Sequence, residues 1–180
     1  DRFLRDVLDE LDIARADVVA SSVGGYLTLR AVAADPSRFR SMVQLGWPAF
    51  ASGMAVPGMM RAMSSPLRHL IARLPVTRGA TESLMRAIGH GASLKAGTLA
   101  PGILDWYGAL QSHTDTNRND GELIAACIGP VRGPDPSLTL DDATLGAAAV
   151  PTLYVWGADD TFGGQEVGEA LVAAMPDARM

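Results

Sequence analysis

A short β-rich run that passes without a spacer into a helix narrows the folds open to this chain more than any other feature. Asp17-Val18-Val19-Ala20 reads as a strand, and the run from Val23 to Ala34 (VGGYLTLRAVAA) reads as a helix. Ser21 and Ser22 lie at the join. A strand that feeds directly into a helix is the unit from which parallel α/β sheets are built. So sharp a reversal strains the backbone of the residue at its apex and projects that side chain outward. Small residues flank Ser22: Ala20 before it and Gly24 after it. A larger Cβ substituent at either position is expected to clash across the turn, and Gly25 is expected to let the helix approach the sheet. Ser21 fits the apex less well, because the bulky Val23 takes the place that a small residue must hold. Ser22 Oγ is therefore the candidate nucleophile. The Val23 N–H, at the positive end of the new helix, is the candidate donor to an oxyanion. A serine that only caps a helix is the bland alternative. The small residues on both sides favour the nucleophile.

At these residues the chain resembles the α/β-hydrolase superfamily, with Ala20 where the family usually carries glycine. The resemblance continues downstream. Asp35-Pro36-Ser37-Arg38-Phe39 is similar to the turn after the nucleophile helix, and Ser41-Met42-Val43-Gln44-Leu45 to the next central strand. Val150 to Asp160 (VPTLYVWGADD) resembles the strand that ends in the catalytic acid. The matching stretches are Leu11 to Pro48 and Val150 to Met180. The fold that this implies is α/β: a partial α/β-hydrolase parallel sheet with an inserted helical cap. The family places its acid three residues after the glycine, which makes Asp160 the acid and leaves Asp159 as a solvated turn residue. Such a carboxylate holds a histidine in the correct tautomer and stabilises the imidazolium.

That histidine normally follows the acid in chain order. None follows Asp160: the three present are His69, His90 and His113, between the two matching stretches. His69 is expected on a helix surface, His90 in a loop or at a helix end between Gly89 and Gly91, and His113 in a polar stretch. The first residues, Asp1 to Leu11, read as a helix with Phe3, Leu4, Val7, Leu8 and Leu11 on one face. The chain is accordingly read as an internal piece of a longer hydrolase, inactive as given, with a downstream histidine and an upstream oxyanion loop supplied elsewhere.

Three segments are expected: core over 1–49, a cap or lid over 50–149, and core again over 150–180. Four helices are expected in the cap. They run from Pro57 to about Leu74 with a break near Ser65-Pro66, from Thr81 to Ile88, from Pro101 to Leu110, and from Asp120 to Cys127. Asn117-Arg118-Asn119-Asp120 offers capping chemistry for the last. The Gly-Pro-rich run from Gly129 to Pro136 then returns the chain to the sheet. Met59 and Trp106, with Met54, Met60, Met63 and Tyr107, are candidates for an apolar pocket wall, the alternative being ordinary core between helices. Trp47, just past a core strand, is a candidate substrate contact by position.

Composition bounds the rest. The chain is 48% apolar and 19% charged, too apolar to be disordered. A net charge of −5 without a basic block argues against a nucleic-acid partner. No apolar run is long enough to span a membrane. The lone Cys127 excludes an internal disulfide and fits a reducing, cytoplasmic setting. No spacing suggests a metal site. A small-molecule substrate is the expected partner, and no cofactor is expected.

The resemblance implies two-step acyl transfer: attack by Ser22, proton removal by a histidine oriented by Asp160, and hydrolysis of the acyl-enzyme. A serine argues against dehalogenase and epoxide-hydrolase chemistry, where the family uses an aspartate. Carboxylic-ester hydrolysis is the first choice. Hydrolysis of a carbon–carbon bond in a ring-cleavage product comes next, and cofactor-free haloperoxidase activity uses the same triad. A non-catalytic relative that keeps the pocket for binding is the alternative from another class.

Overall fold

The structure is a computed structural model that describes residues 2–66, 68–71 and 75–180. Its elements in chain order begin with α1 (Arg2–Glu10), β1 (Ala16–Ser21), α2 (Ser22–Ala34) and β2 (Phe39–Pro48). The helices α3 (Gly58–Met63), α4 (Arg68–Ile71), α5 (Arg78–Met85), α6 (Gly91–Ala96), α7 (Ile103–His113) and α8 (Thr116–Cys127) follow. A small ribbon, β3 (Ile128–Gly129) with β4 (Gly133–Pro134), precedes α9 (Asp142–Ala147), β5 (Thr152–Val155), α10 (Gln165–Ala174) and β6 (Ala178–Arg179). The chain divides into two compact units, Asp1–Ala55 with Thr139–Met180, and Val56–Leu138.

In the first unit four parallel strands form a sheet in the order β1-β2-β5-β6. Its register sets Ala20 beside Gln44 and Gln44 beside Tyr154. One face is packed. Met42, Gln44, Thr152 and Tyr154 are buried there, as are Leu29 and Val32 of α2, Leu145 of α9 and Leu171 of α10. Burial of each such leucine or valine contributes roughly 1.5–3 kcal/mol. The residues of the opposite face alternate with these, as a strand's period of two requires. They include Val19 and Val155, which are 67% and 51% exposed. Parallel strands usually bury both faces, which is why this open face reads in sequence as core. All the parallel strands end on the same side of the sheet, so the residues that follow β1, β2 and β5 meet there.

The first unit takes more of the chain than the expected boundaries at 49 and 150 allow. Phe50 packs its ring edge-on against Tyr26, with centroids 4.9 Å apart, and its carbonyl accepts from the Leu140 N–H. Leu140, Leu145 and Ala148 are buried, and α9 packs against α2. Residues 139–149 are core because their apolar side chains fill the space beside α2, which no local pattern announces.

The second unit is helical, with the β3–β4 ribbon. The break near Ser65-Pro66 is present between α3 and α4. The expected end of that first helix, at Leu74, lies outside the described residues. The helix expected over 81–88 starts at Arg78, where Thr77 Oγ1 accepts from the Ala80 N–H at 3.2 Å. It then kinks at Gly89, whose φ of +99° is easy only for glycine. The short α6 beyond the kink was not expected, because glycine and serine depress its helix propensity. The last helix begins at Thr116, so residues 117–120 lie inside it rather than capping it. Thr114 Oγ1 instead accepts from the Thr116 N–H at 3.2 Å. Met59 and Trp106 are exposed, on α3 and α7 respectively, so neither is ordinary core.

Candidate active site

Ser22 is the first residue of α2, directly after β1. The preceding Ser21 is fully extended, with φ −151° and ψ 153°, and Ser22 then turns to φ +53°. That left-handed conformation is costly for any residue with a Cβ. It is the strain that a strand-to-helix reversal demands, and it sits on the residue read as the nucleophile. The Ser22 carbonyl accepts from the Ala49 N–H at 2.9 Å, and Ser22 bridges Pro48 in parallel fashion. The end of β2 thus braces the turn. Val23 is the second residue of a 13-residue helix, so its N–H has no partner within the helix and lies at the positive end of the helix dipole.

Of the two glycines after the turn, one meets its expectation and the other does not. A Cβ placed on Gly24 would meet nothing within 4 Å. A Cβ on Gly25 would lie 2.6 Å from the Gln44 side-chain carbonyl carbon. Gly25 is therefore the close approach of α2 to the sheet, as expected of it, whereas Gly24 has room.

Asp160 lies in the loop after β5. Its N–H donates to the Gly157 carbonyl at 3.1 Å, and its Oδ1 accepts from the Phe162 N–H at 2.9 Å. Its Oδ2 faces Gly46 at the end of β2: a Cβ built on Gly46, which has φ +68°, would stand 3.4 Å from that oxygen. Asp159 is exposed. Trp47 follows Gly46 and stacks on the buried Phe162, with ring centroids 4.1 Å apart and planes inclined by 26°. The structure thus sets Ser22, Trp47 and Asp160 at the same ends of neighbouring parallel strands.

The other candidates lie in the second unit. Met59 and Trp106 are exposed on its helices, with Trp106 edge-on to Tyr107 at 6.1 Å. His69 is on α4, His90 at the kink before α6, and His113 at the end of α7, all exposed. Each is where its local sequence suggested, and the first unit holds none of the three. No cluster of ligating side chains suited to a metal ion occurs among the described residues. Among them, too, no helix is long and apolar enough to cross a membrane.

Sequence reasoning missed Phe162 and Gly46 as neighbours of Asp160. The first carried a signal. An aspartate two residues before a backbone N–H is the spacing of an Asx turn. The second carried none, since Gly46 meets Asp160 only through the pairing of β2 with β5.

No family model matches the chain. It is 30% identical, over 99% of its length, to the 2-hydroxy-6-oxononadienedioate/2-hydroxy-6-oxononatrienedioate hydrolase of Cupriavidus pinatubonensis, of which it covers 57%. The enzyme of the same name from Paraburkholderia xenovorans is 31% identical over the same shares of the two chains. Among solved structures it superimposes with a TM-score of 0.71 on a serine hydrolase from the polyaromatic-hydrocarbon degrader Cycloclasticus zankles. That match has 21% identity and covers 98% of this chain and 58% of the other. For the 2-hydroxy-6-oxo-6-phenylhexa-2,4-dienoate hydrolase of a Rhodococcus strain the TM-score is 0.67, at 19% identity and the same coverage. The chain thus spans a little over half the length of these relatives, and its parallel sheet and helices are part of the α/β-hydrolase fold.

Proposed function

We propose that this chain carries the nucleophile and the acid of a serine hydrolase that cleaves a carbon–carbon bond beside a ketone. The observation that carries the reading is the left-handed Ser22 at the strand–helix turn, with Asp160 at the end of the neighbouring strands. The similar enzymes' named substrates shift the choice away from the ester that sequence ranked first. A 2-hydroxy-6-oxo-dienedioate holds carboxylates, an enol and a ketone, but no ester. Hydrolysis at its ketone must break a carbon–carbon bond.

In this reading Ser22 Oγ adds to the ketone carbon while a histidine from outside the first unit takes its proton. Asp160 holds that histidine's ring and stabilises its positive charge. The Val23 N–H donates to the oxyanion. Before attack the substrate ketonises, its 2-hydroxyl proton moving to the carbon beside the ketone. As the tetrahedral adduct collapses, the bond between those two carbons breaks and its electron pair passes through the resulting enone to the 2-keto oxygen. The histidine returns the proton to that oxygen, which releases a 2-hydroxy-dienoate. Water then cleaves the ester to Ser22 and frees the acid. The second unit is read as the family's helical cap, with Met59 on α3 and Trp106 on α7 as its candidate substrate contacts.

The test uses the full-length protein and a 2-hydroxy-6-oxo-diene acid, whose conjugated absorbance vanishes on cleavage. A p-nitrophenyl ester serves as comparison. Ser22→Ala should abolish cleavage without unfolding the protein, and Asp160→Asn should slow it by about 10⁴-fold. Turnover that survives Ser22→Ala removes the nucleophile assignment. Turnover of the ester alone restores the ester reading, and binding without turnover points to a non-catalytic relative.

A further inference from the structure

Asp160 has two carboxylate oxygens, and the fold uses them differently. Oδ1 is committed to the Phe162 N–H at 2.9 Å. Oδ2 faces the end of β2, beside Gly46. The direction of Oδ2 therefore follows from wherever the loop places Phe162. Within the first unit that residue is also held through its carbonyl and its ring. Its carbonyl accepts from the Ala55 N–H at 2.7 Å. The next carbonyl, of Gly163, accepts from Trp156 Nε1 at 3.1 Å. Phe162 is 4% exposed, and its ring stacks on the Trp47 indole with the planes inclined by 26°. Trp47 belongs to β2 and follows the glycine that faces Oδ2.

We infer that Trp47 is a positioning residue for the acid: its stack on Phe162 locks the amide that fixes Asp160 Oδ1, and so aims Oδ2 at the histidine. The inference rests on the Ser–His–Asp reading above and names a device within it. Two rigid planes in offset contact resist sliding, and this stack couples the end of β2 to the acid loop after β5. The left-handed Gly46 leaves the approach to Oδ2 free of a side chain. The indole thereby acts on catalysis through the acid, without needing to touch substrate.

The experiment compares Trp47→Ala, Trp47→Phe and Asp160→Asn in the full-length protein. One arm reads the Phe162 amide by NMR hydrogen exchange and proton chemical shift, without any turnover. Trp47→Ala should speed exchange of that amide on the order of tenfold and move its proton upfield, as a loosened carboxylate hydrogen bond must. Trp47→Phe, which keeps a ring on Phe162, should recover most of the protection. An unchanged Phe162 amide in Trp47→Ala overturns the proposal.

The second arm is a kinetic cycle on the diene-acid substrate. Trp47→Ala should lower kcat at least about tenfold with little change in KM, and should add almost nothing in the Asp160→Asn background. A loss of equal size in both backgrounds, or one confined to KM, makes Trp47 a substrate contact and overturns the positioning role. Turnover that survives Ser22→Ala refutes the hydrolase reading instead, and the amide arm still decides whether Trp47 holds Asp160.

Discussion

The strain at Ser22 makes a prediction whose sign is unusual. Ser22 stands at φ +53°, in the region where a Cβ presses on the following carbonyl. Holding an L-residue there costs about 1–2 kcal/mol, and glycine escapes that cost. Glycine in turn loses more conformational freedom on folding, worth about 0.5–1 kcal/mol against alanine. The balance favours glycine by about 0–1.5 kcal/mol at this one position. At an ordinary helical site the order is reversed. Ala170, exposed within α10, is the internal control, and Ala170→Gly should destabilise by about 1 kcal/mol. Ser22→Gly and Ser22→Ala both remove the hydroxyl, so the comparison isolates backbone strain from side-chain chemistry. Urea unfolding of the full-length protein, followed by tryptophan fluorescence, should find Ser22→Gly as stable as Ser22→Ala or more so. If Ser22→Ala is instead the more stable by about the Ala170 margin, the turn is unstrained and the structural basis for the nucleophile fails.

Two further outcomes follow from packing and burial. Gly25→Ala should destabilise by about 1–3 kcal/mol, because its Cβ would overlap the fully buried Gln44 amide. Gly24→Ala, with nothing to meet, should be neutral or gain up to about 1 kcal/mol, and equal losses in the two unfolding curves would refute this account. Burial raises the Tyr154 hydroxyl well above its ordinary value of 10.0. The unfolded chain then loses that proton first. Stability from this group is full below about pH 10 and declines as pH rises toward the folded value, by up to about 1.4 kcal/mol per pH unit. Tyr154→Phe should flatten the alkaline fall in urea midpoint between about pH 10 and 11, and an unchanged slope would show that the hydroxyl is solvated in the fold.

The parts of this protein that were legible in its sequence are those whose cause is local. The reversal at Ser22 is readable because a strand, a turn and a helix lie within twenty residues and each shows its own pattern. The loop that carries Asp160 is readable because its glycine and its strand immediately precede it. The breaks in the second unit fall at proline and glycine, whose backbone preferences travel with the residue. The tertiary structure decided everything that depends on what lies opposite. It lifted the constraint expected at Gly24 and kept the one expected at Gly25, because only the latter faces Gln44 across the packed face. It drew Leu140, Leu145 and Ala148 into the core beside α2. It also brought Gly46, Trp47 and Phe162 around Asp160. A residue's own propensity is written in its covalent structure. Its neighbours across a sheet are set by strand pairing, which joins segments more than one hundred residues apart (Met42 beside Thr152) and leaves no trace in either segment alone.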